Sequence, residues 1–262
     1  MTNSNNDLID YVTGLGDDSL ILGQRIAEWC SKAPFLEEDL ALTNVALDFL
    51  GRAQMFYNYA AELHNADLGT DKSVDRITAD DIAYLRDARE YKNTLIHELP
   101  IGDFAYTMAR QFLIDSFGVQ FMTELVKSSD KTVSGIAAKA IKECRYHLRR
   151  SNDWVLRLGD GTQESHERIQ TAFNQLWGYT SELFEMTASE TALLTVNISV
   201  DTTVLRDAWL KQVSDTLKQA TLELPKDEWQ INGGRAGIHT EHLGQVLSEL
   251  QYLQRAYPGL SW

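Results

Sequence analysis

Three long segments of this chain each repeat apolar residues at the three- and four-residue spacing of one helix face, and each breaks that face with polar residues. One stripe reads Leu42, Val45, Phe49, Arg52, Phe56, Tyr59, Leu63. Another reads Ala105, Met108, Phe112, Asp115, Val119, Met122, Val126. The third reads Ala140, Cys144, His147, Ser151, Trp154, Leu158. The spacing turns Arg52, Asp115 and His147 toward a common core, where lone charges are costly. Helices that long with one buried face must pack against one another. No two-residue hairpin signal flanked by alternating apolar residues occurs, and the only β-like run, Asn197-Ile198-Ser199-Val200, is short. The fold class expected is therefore all-α, a helical bundle with additional C-terminal helices.

The 262 residues suffice for a large core without staples. Four prolines, Pro34, Pro100, Pro225 and Pro258, fall between helical patterns rather than in a linker. The spacing predicts helices over about 18–32 (capped by Asp17 or Asp18), 36–64, 79–98, 103–127, 132–158, 164–187, 188–195, 202–222 and 240–257. Polar connections fall at 65–78 and 223–239. Residues 1–16 read as a flexible N-terminus, and 17–262 as a single domain. Cys30 and Cys144 stand at no motif spacing, no signal architecture opens the chain, and no apolar run has the length of a membrane span. A cytoplasmic protein is the expectation. The net charge of −14 argues against nucleic acid and anionic membrane as partners.

A di-iron bundle takes a carboxylate from each of two helices and a Glu-x-x-His from each of the other two. The nearest match here is Cys144-Arg145-Tyr146-His147, with Cys where a carboxylate belongs. The equivalent on the second helix, Phe49-Leu50-Gly51-Arg52, offers no ligand at all, and the inward position of the first helix is Ser19. Asp115 and His147 survive, and a buried ion-pair or hydrogen-bond cluster is the plainer account of them. Glu143 and His147, four apart, read as a boundary pair rather than as a carboxylate orienting an imidazole. His239-Thr240-Glu241-His242 lacks the spacing of a zinc helix, and Thr240 reads as a cap. Gly233-Gly234-Arg235-Ala236-Gly237 could touch a phosphate but reads more simply as a turn. Arg145, Arg149 and Arg150 read as a solvated or partner-facing stripe.

Several separated blocks carry a resemblance. These are Pro34-Phe35-Leu36-Glu37-Glu38-Asp39-Leu40-Ala41-Leu42, Asn44-Val45-Ala46-Leu47-Asp48, Lys142-Glu143-Cys144-Arg145-Tyr146-His147-Leu148-Arg149, His239-Thr240-Glu241-His242-Leu243-Gly244, and Gln251-Tyr252-Leu253-Gln254-Arg255 with Pro258-Gly259 and Trp262. Over about 17–262 the chain resembles the structural C subunits of the bacterial phenylacetyl-CoA epoxidases. That resemblance implies a ferritin-like bundle and a multicomponent monooxygenase that adds one oxygen atom of O2 across the ring of phenylacetyl-CoA. It also implies a homologous catalytic subunit holding the di-iron centre, and a separate flavin and iron–sulfur reductase, itself a possible partner. Trp29 and Ala33-Pro34 resemble a tract of that catalytic subunit. Their register puts Ser19 at its first-helix Glu, Phe49 and Arg52 on its first Glu-x-x-His, Asp115 near its third-helix carboxylate, and Cys144 and His147 on its second Glu-x-x-His. Three carboxylates and one His are lost. The resemblance thus implies a non-catalytic subunit with a vestigial centre at Ser19, Phe49, Arg52, Asp115, Cys144 and His147. It holds no catalytic residue, cofactor or metal of its own. The alternative is an oxidase or oxygenase with an unconventional metal site. Arg52 is expected to take over the missing metal charge by a forked pairing with Asp115, with His147 close by.

Overall fold

In the computed structural model, which describes residues 3–66 and 75–260, the chain is a ferritin-like all-α bundle, with no strand among the described residues. Its centre is four long helices: α1 Asn3–Ala27, α2 Leu36–Asn65, α5 Phe104–Leu125 and α6 Lys131–Gly159. The α1/α2 and α5/α6 hairpins are the most extensively packed pairs, and α2 against α6 helps join them. The crossover between them carries the short α3 Ala79–Tyr84 and α4 Leu95–Glu98. Beyond α6 come α7 Gln163–Leu176, α8 Ala188–Leu194, α9 Arg206–Gln219, α10 Glu241–Leu250 and α11 Tyr252–Ala256. Side chains start several helices by taking the first free amides: Asp103 for α5, Asp130 for α6, Thr162 for α7 and Thr240 for α10. The start of α2 lacks such a bond, and Glu37, Glu38 and Asp39 instead face the positive end of its dipole.

The expected flexible N-terminus over 1–16 is corrected by the structure. Helix α1 runs unbroken from Asn3, and Leu8, Tyr11, Val12 and Leu15 are buried in the main core. Asp17 and Asp18 are not caps. They lie inside α1 facing the protein, and Gly16 is there for close approach: a Cβ on it would sit 2.5 Å from the Tyr57 ring. Residues 1–2, the 67–74 part of the expected connection, and Trp262 lie outside the described residues.

The helix expected over 79–98 is three pieces: α3, a 3-10 turn at Ala88–Glu90 and α4. Carboxylates from elsewhere take its amides. Asp17 accepts from Lys92 N at 2.7 Å, Asp18 from Thr94 N at 2.9 Å, and Glu182 from Leu95 N at 2.7 Å. A continuous helix could not leave these donors free. The helix expected to 187 ends as α at Leu176 and continues in 3-10 turns to Phe184. The stretch 202–222 opens as a 3-10 turn, and 240–257 divides into α10 and α11.

The candidate metal centre

Ser19 from α1, Phe49 and Arg52 from α2, Asp115 from α5 and Cys144 from α6 line one internal cavity of about 60 Å³. His147 stands behind Phe49, its ring stacked on the phenyl with centroids 5.2 Å apart. The bundle therefore brings together all six residues expected to form a vestigial centre, and each of them is buried.

Their mutual bonding corrects the expectation of an Arg52–Asp115 pair. Arg52 lies over Phe49, 4.8 Å from the ring centroid, and its Nη2 donates to Glu143 Oε2 at 3.4 Å. Asp115 accepts instead from Ser151 Oγ at 2.8 Å. His147 Nε2 bonds Asp48 Oδ2 at 2.9 Å, so Glu143 and His147 serve two different residues of α2 and not each other. The reason is reach. A six-atom arginine side chain leaves the stripe sideways toward the α2/α6 seam. Ser151, one turn beyond His147 on the same inner face of α6, is short enough to satisfy Asp115 directly.

Burial drives the electrostatics. It pushes the Asp115 carboxyl up to about 6, against the opposing pull of His147, Ser151, Arg150 and Arg52. It also raises the Cys144 thiol, against Arg52. An un-ionised thiol is a poor metal ligand.

These residues do not fit a metal pair. The Ser19 hydroxyl donates to Leu15 O at 2.9 Å, Phe49 has no donor atom, and a guanidinium at 52 repels a cation. Among the described residues no group of three or more His, Cys, Asp or Glu could hold a metal ion. His239 and His242 form no metal motif either. His239 Nδ1 bonds Glu98 at 2.7 Å and Nε2 bonds the Tyr91 carbonyl at 2.9 Å, while Thr240 caps α10 through the amide of His242. Arg235 is turned inward, bonded to Asp18 at 2.7 Å and to the Lys92 carbonyl at 2.7 Å. The glycine segment around it is a tight turn, with Gly233 and Gly237 at positive φ. Its amides at Gly233 and Arg235 are taken by Glu182.

A second polar cluster lay hidden in sequence. Asp17 is fully buried and accepts from Tyr57 Oη at 2.6 Å and from the Arg86 guanidinium. Glu98, fully buried, takes Asn93, His239 and Thr240. Glu182 takes the amides of Leu95 and Gly233. Burial holds His97 neutral, down at about 3, with Arg235 nearby adding to the effect. This network ties the crossover and the loop before α10 onto α1. The signal that could have found it is an apolar face running through Tyr11, Leu15, Leu22 and Ile26, all buried along α1.

A ferritin-like all-α bundle that gathers Ser19, Phe49, Arg52, Asp115, Cys144 and His147 between its four long helices is thus the class that fold and site define. The whole chain, residues 1–262, matches the family described as phenylacetic acid catabolic protein, and it belongs to that family. It is 47% identical over 257 residues, 98% of this chain and 100% of the relative, to the C subunit of the 1,2-phenylacetyl-CoA epoxidase of Escherichia coli (strain K12). It is therefore a homologue of a phenylacetyl-CoA epoxidase C subunit.

Proposed function

We propose that this chain is the non-catalytic structural subunit of a phenylacetyl-CoA 1,2-epoxidase and supports a homologous di-iron subunit in aerobic phenylacetate degradation. The observation that carries the reading is the occupation of the centre by Ser19, Phe49, Arg52 and Cys144, with Arg52 and His147 bonded to Glu143 and Asp48. The subunit name of the relative supports the existence of further subunits. Di-iron belongs to the partner in this reading, and this chain carries no cofactor. The reductase is a further contact of the assembled enzyme. A cytoplasmic setting is part of the proposal. Two free cysteines suit a reducing compartment, and no helix among the described residues is long and apolar enough to cross a membrane.

Co-expression with the homologous di-iron subunit tests it. The two chains should co-elute on size exclusion, and the complex with reductase, NADPH and O2 should convert phenylacetyl-CoA to its epoxide. This chain with the reductase alone should convert none. Turnover by this chain without the di-iron subunit, or clean separation of the two, would contradict the proposal.

A further inference from the structure

The cavity at the centre of the bundle reaches beyond the residues of α2, α5 and α6. Glu190, Arg235 and the exposed Glu185 also line it. Glu190 and Arg235 in turn line a second cleft of about 190 Å³, together with Lys92 and Ser189. Two shared side chains therefore stand between cavity and cleft. The cavity wall is mixed. Phe49, Ile114, Phe121 and Met122 give it an apolar flank. Most of its polar groups are already used: Ser19 donates to Leu15 O, Asp115 accepts from Ser151, Asp18 is held by Arg235, and Glu190 accepts from the Thr187 amide. Arg52 is the exception. Its guanidinium carries five N–H donors and is only 4% exposed. It makes one bond to a carboxylate oxygen, the 3.4 Å contact with Glu143, and lies against the Cys144 thiol, a weak acceptor. Its Nε has no hydrogen-bond partner among the described residues. Buried donors left short of acceptors are costly.

We infer that this cavity binds a small uncharged molecule with an acceptor oxygen, such as a short alcohol or amide. The oxygen accepts from the Arg52 guanidinium, and the alkyl part lies against Phe49, Ile114 and Met122. Volume sets the upper size. A cavity of about 60 Å³ has room for about four non-hydrogen atoms, at ~15 Å³ for each centre of water's size. Charge sets the class. An anion would face Asp115 and Glu190, and a cation would face Arg52 and Arg235. Unpaired charges in such a site are costly. A wholly apolar molecule would leave the guanidinium short of acceptors, and water alone would not use the apolar flank. This site needs no partner chain, so its test does not bear on the structural-subunit reading.

The test titrates the full chain, its methionine methyl groups isotope-labelled, with n-propanol. NMR follows Met122 in the cavity wall against Met55 outside it. The Met122 signal should shift along a saturating curve while that of Met55 drifts linearly. Acetate and propylammonium, of similar size but charged, should give no saturation at Met122, and neither should cyclohexanol, which is too large. Arg52→Leu keeps the apolar flank and removes the donor, and should weaken n-propanol binding at least about tenfold. The wild-type series decides size and charge without the variant, so the test holds even where Arg52→Leu does not fold. A linear drift at Met122 like that of Met55 would leave the cavity to solvent water and overturn the inference. Saturation by acetate as strong as by n-propanol would overturn the uncharged class. Undiminished affinity in Arg52→Leu would overturn the role of the guanidinium.

Discussion

Arg52 Nη2 meets Glu143 Oε2 at 3.4 Å across the α2/α6 seam, while the guanidinium lies over the ring of Phe49, the residue one turn before it. The charge of Arg52 is thus carried to the edge of the bundle. The Glu143 side chain keeps 17% exposure against 4% for Arg52. Removing the arginine leaves a carboxylate that can still reach water, and a phenyl face without its cation. Arg52→Met is therefore expected to cost about 1–2 kcal/mol, below the ~3–5 kcal/mol of breaking a fully buried pair. Urea unfolding at neutral pH checks this. A loss as large as that of a fully buried pair would mean that Arg52 neutralises Asp115 after all.

Asp115 gives a pH signature. Burial raises its folded value to about 6, above the unfolded value near ~3.9, so the native state binds the proton more tightly. The stability linked to that proton is complete below pH ~4, falls as pH rises through 6, and is gone above it. Two units correspond to at most about 3 kcal/mol. Asp115→Asn, which can still accept from Ser151, should be more stable than wild type at pH 7.5 and equal to it near pH 4. Denaturation midpoints at the two values decide. A variant no more stable at pH 7.5 would show that the carboxylate is compensated.

His239 titrates in a higher window. Burial opposes its charge, but the bonds to Glu98 and the Tyr91 carbonyl outweigh it and raise the pKa above the ordinary value. A raised histidine contributes stability that is complete below its unfolded pKa near ~6.5 and is lost as pH rises through its folded pKa. The wild type should therefore lose melting temperature on going upward from pH 6.5, and His239→Gln should lose less over the same range. Parallel curves for the two proteins would remove the imidazolium from the account.

Gly16 and the first turns of α1 test whether the N-terminal stretch belongs to the core. Gly16→Ala pushes a methyl group to 2.5 Å from a Tyr57 ring whose hydroxyl is held by Asp17. Overpacking of this kind costs about 1–3 kcal/mol. Deleting residues 1–16 removes Tyr11, Val12 and Leu15 from the core and should prevent folding. A truncated chain with wild-type circular dichroism and melting would contradict the placement of α1.

The stripes of α2, α5 and α6 made the centre legible. A three- and four-residue repeat places Phe49, Arg52, Asp115 and Cys144 on inward faces, and the structure puts them on one cavity with Ser19. What the repeat cannot place is the end of a long side chain. Arg52 and Asp115 share a core yet bond to Glu143 and Ser151, because Cα periodicity says nothing about the direction in which a guanidinium leaves the helix. The N-terminal half of α1 was illegible for another reason. Gly14, Gly16, Asp17 and Asp18 have the local chemistry of loops and caps. Only the distant Tyr57, Arg86 and Arg235, with the amides of Lys92 and Thr94, make a helix interior acceptable to them. The same carboxylates broke the helix expected over 79–98, which local propensity alone would have kept whole.

Iron content tests the central claim most directly. The isolated chain, loaded anaerobically with ferrous iron and desalted, is expected to retain no stoichiometric metal by elemental analysis. The complex with the di-iron subunit is expected to hold all its iron on that subunit, so that removing its ligands empties the complex. Two tightly held irons per copy of this chain, in isolation or in a complex with the ligand-deficient partner, would contradict the account.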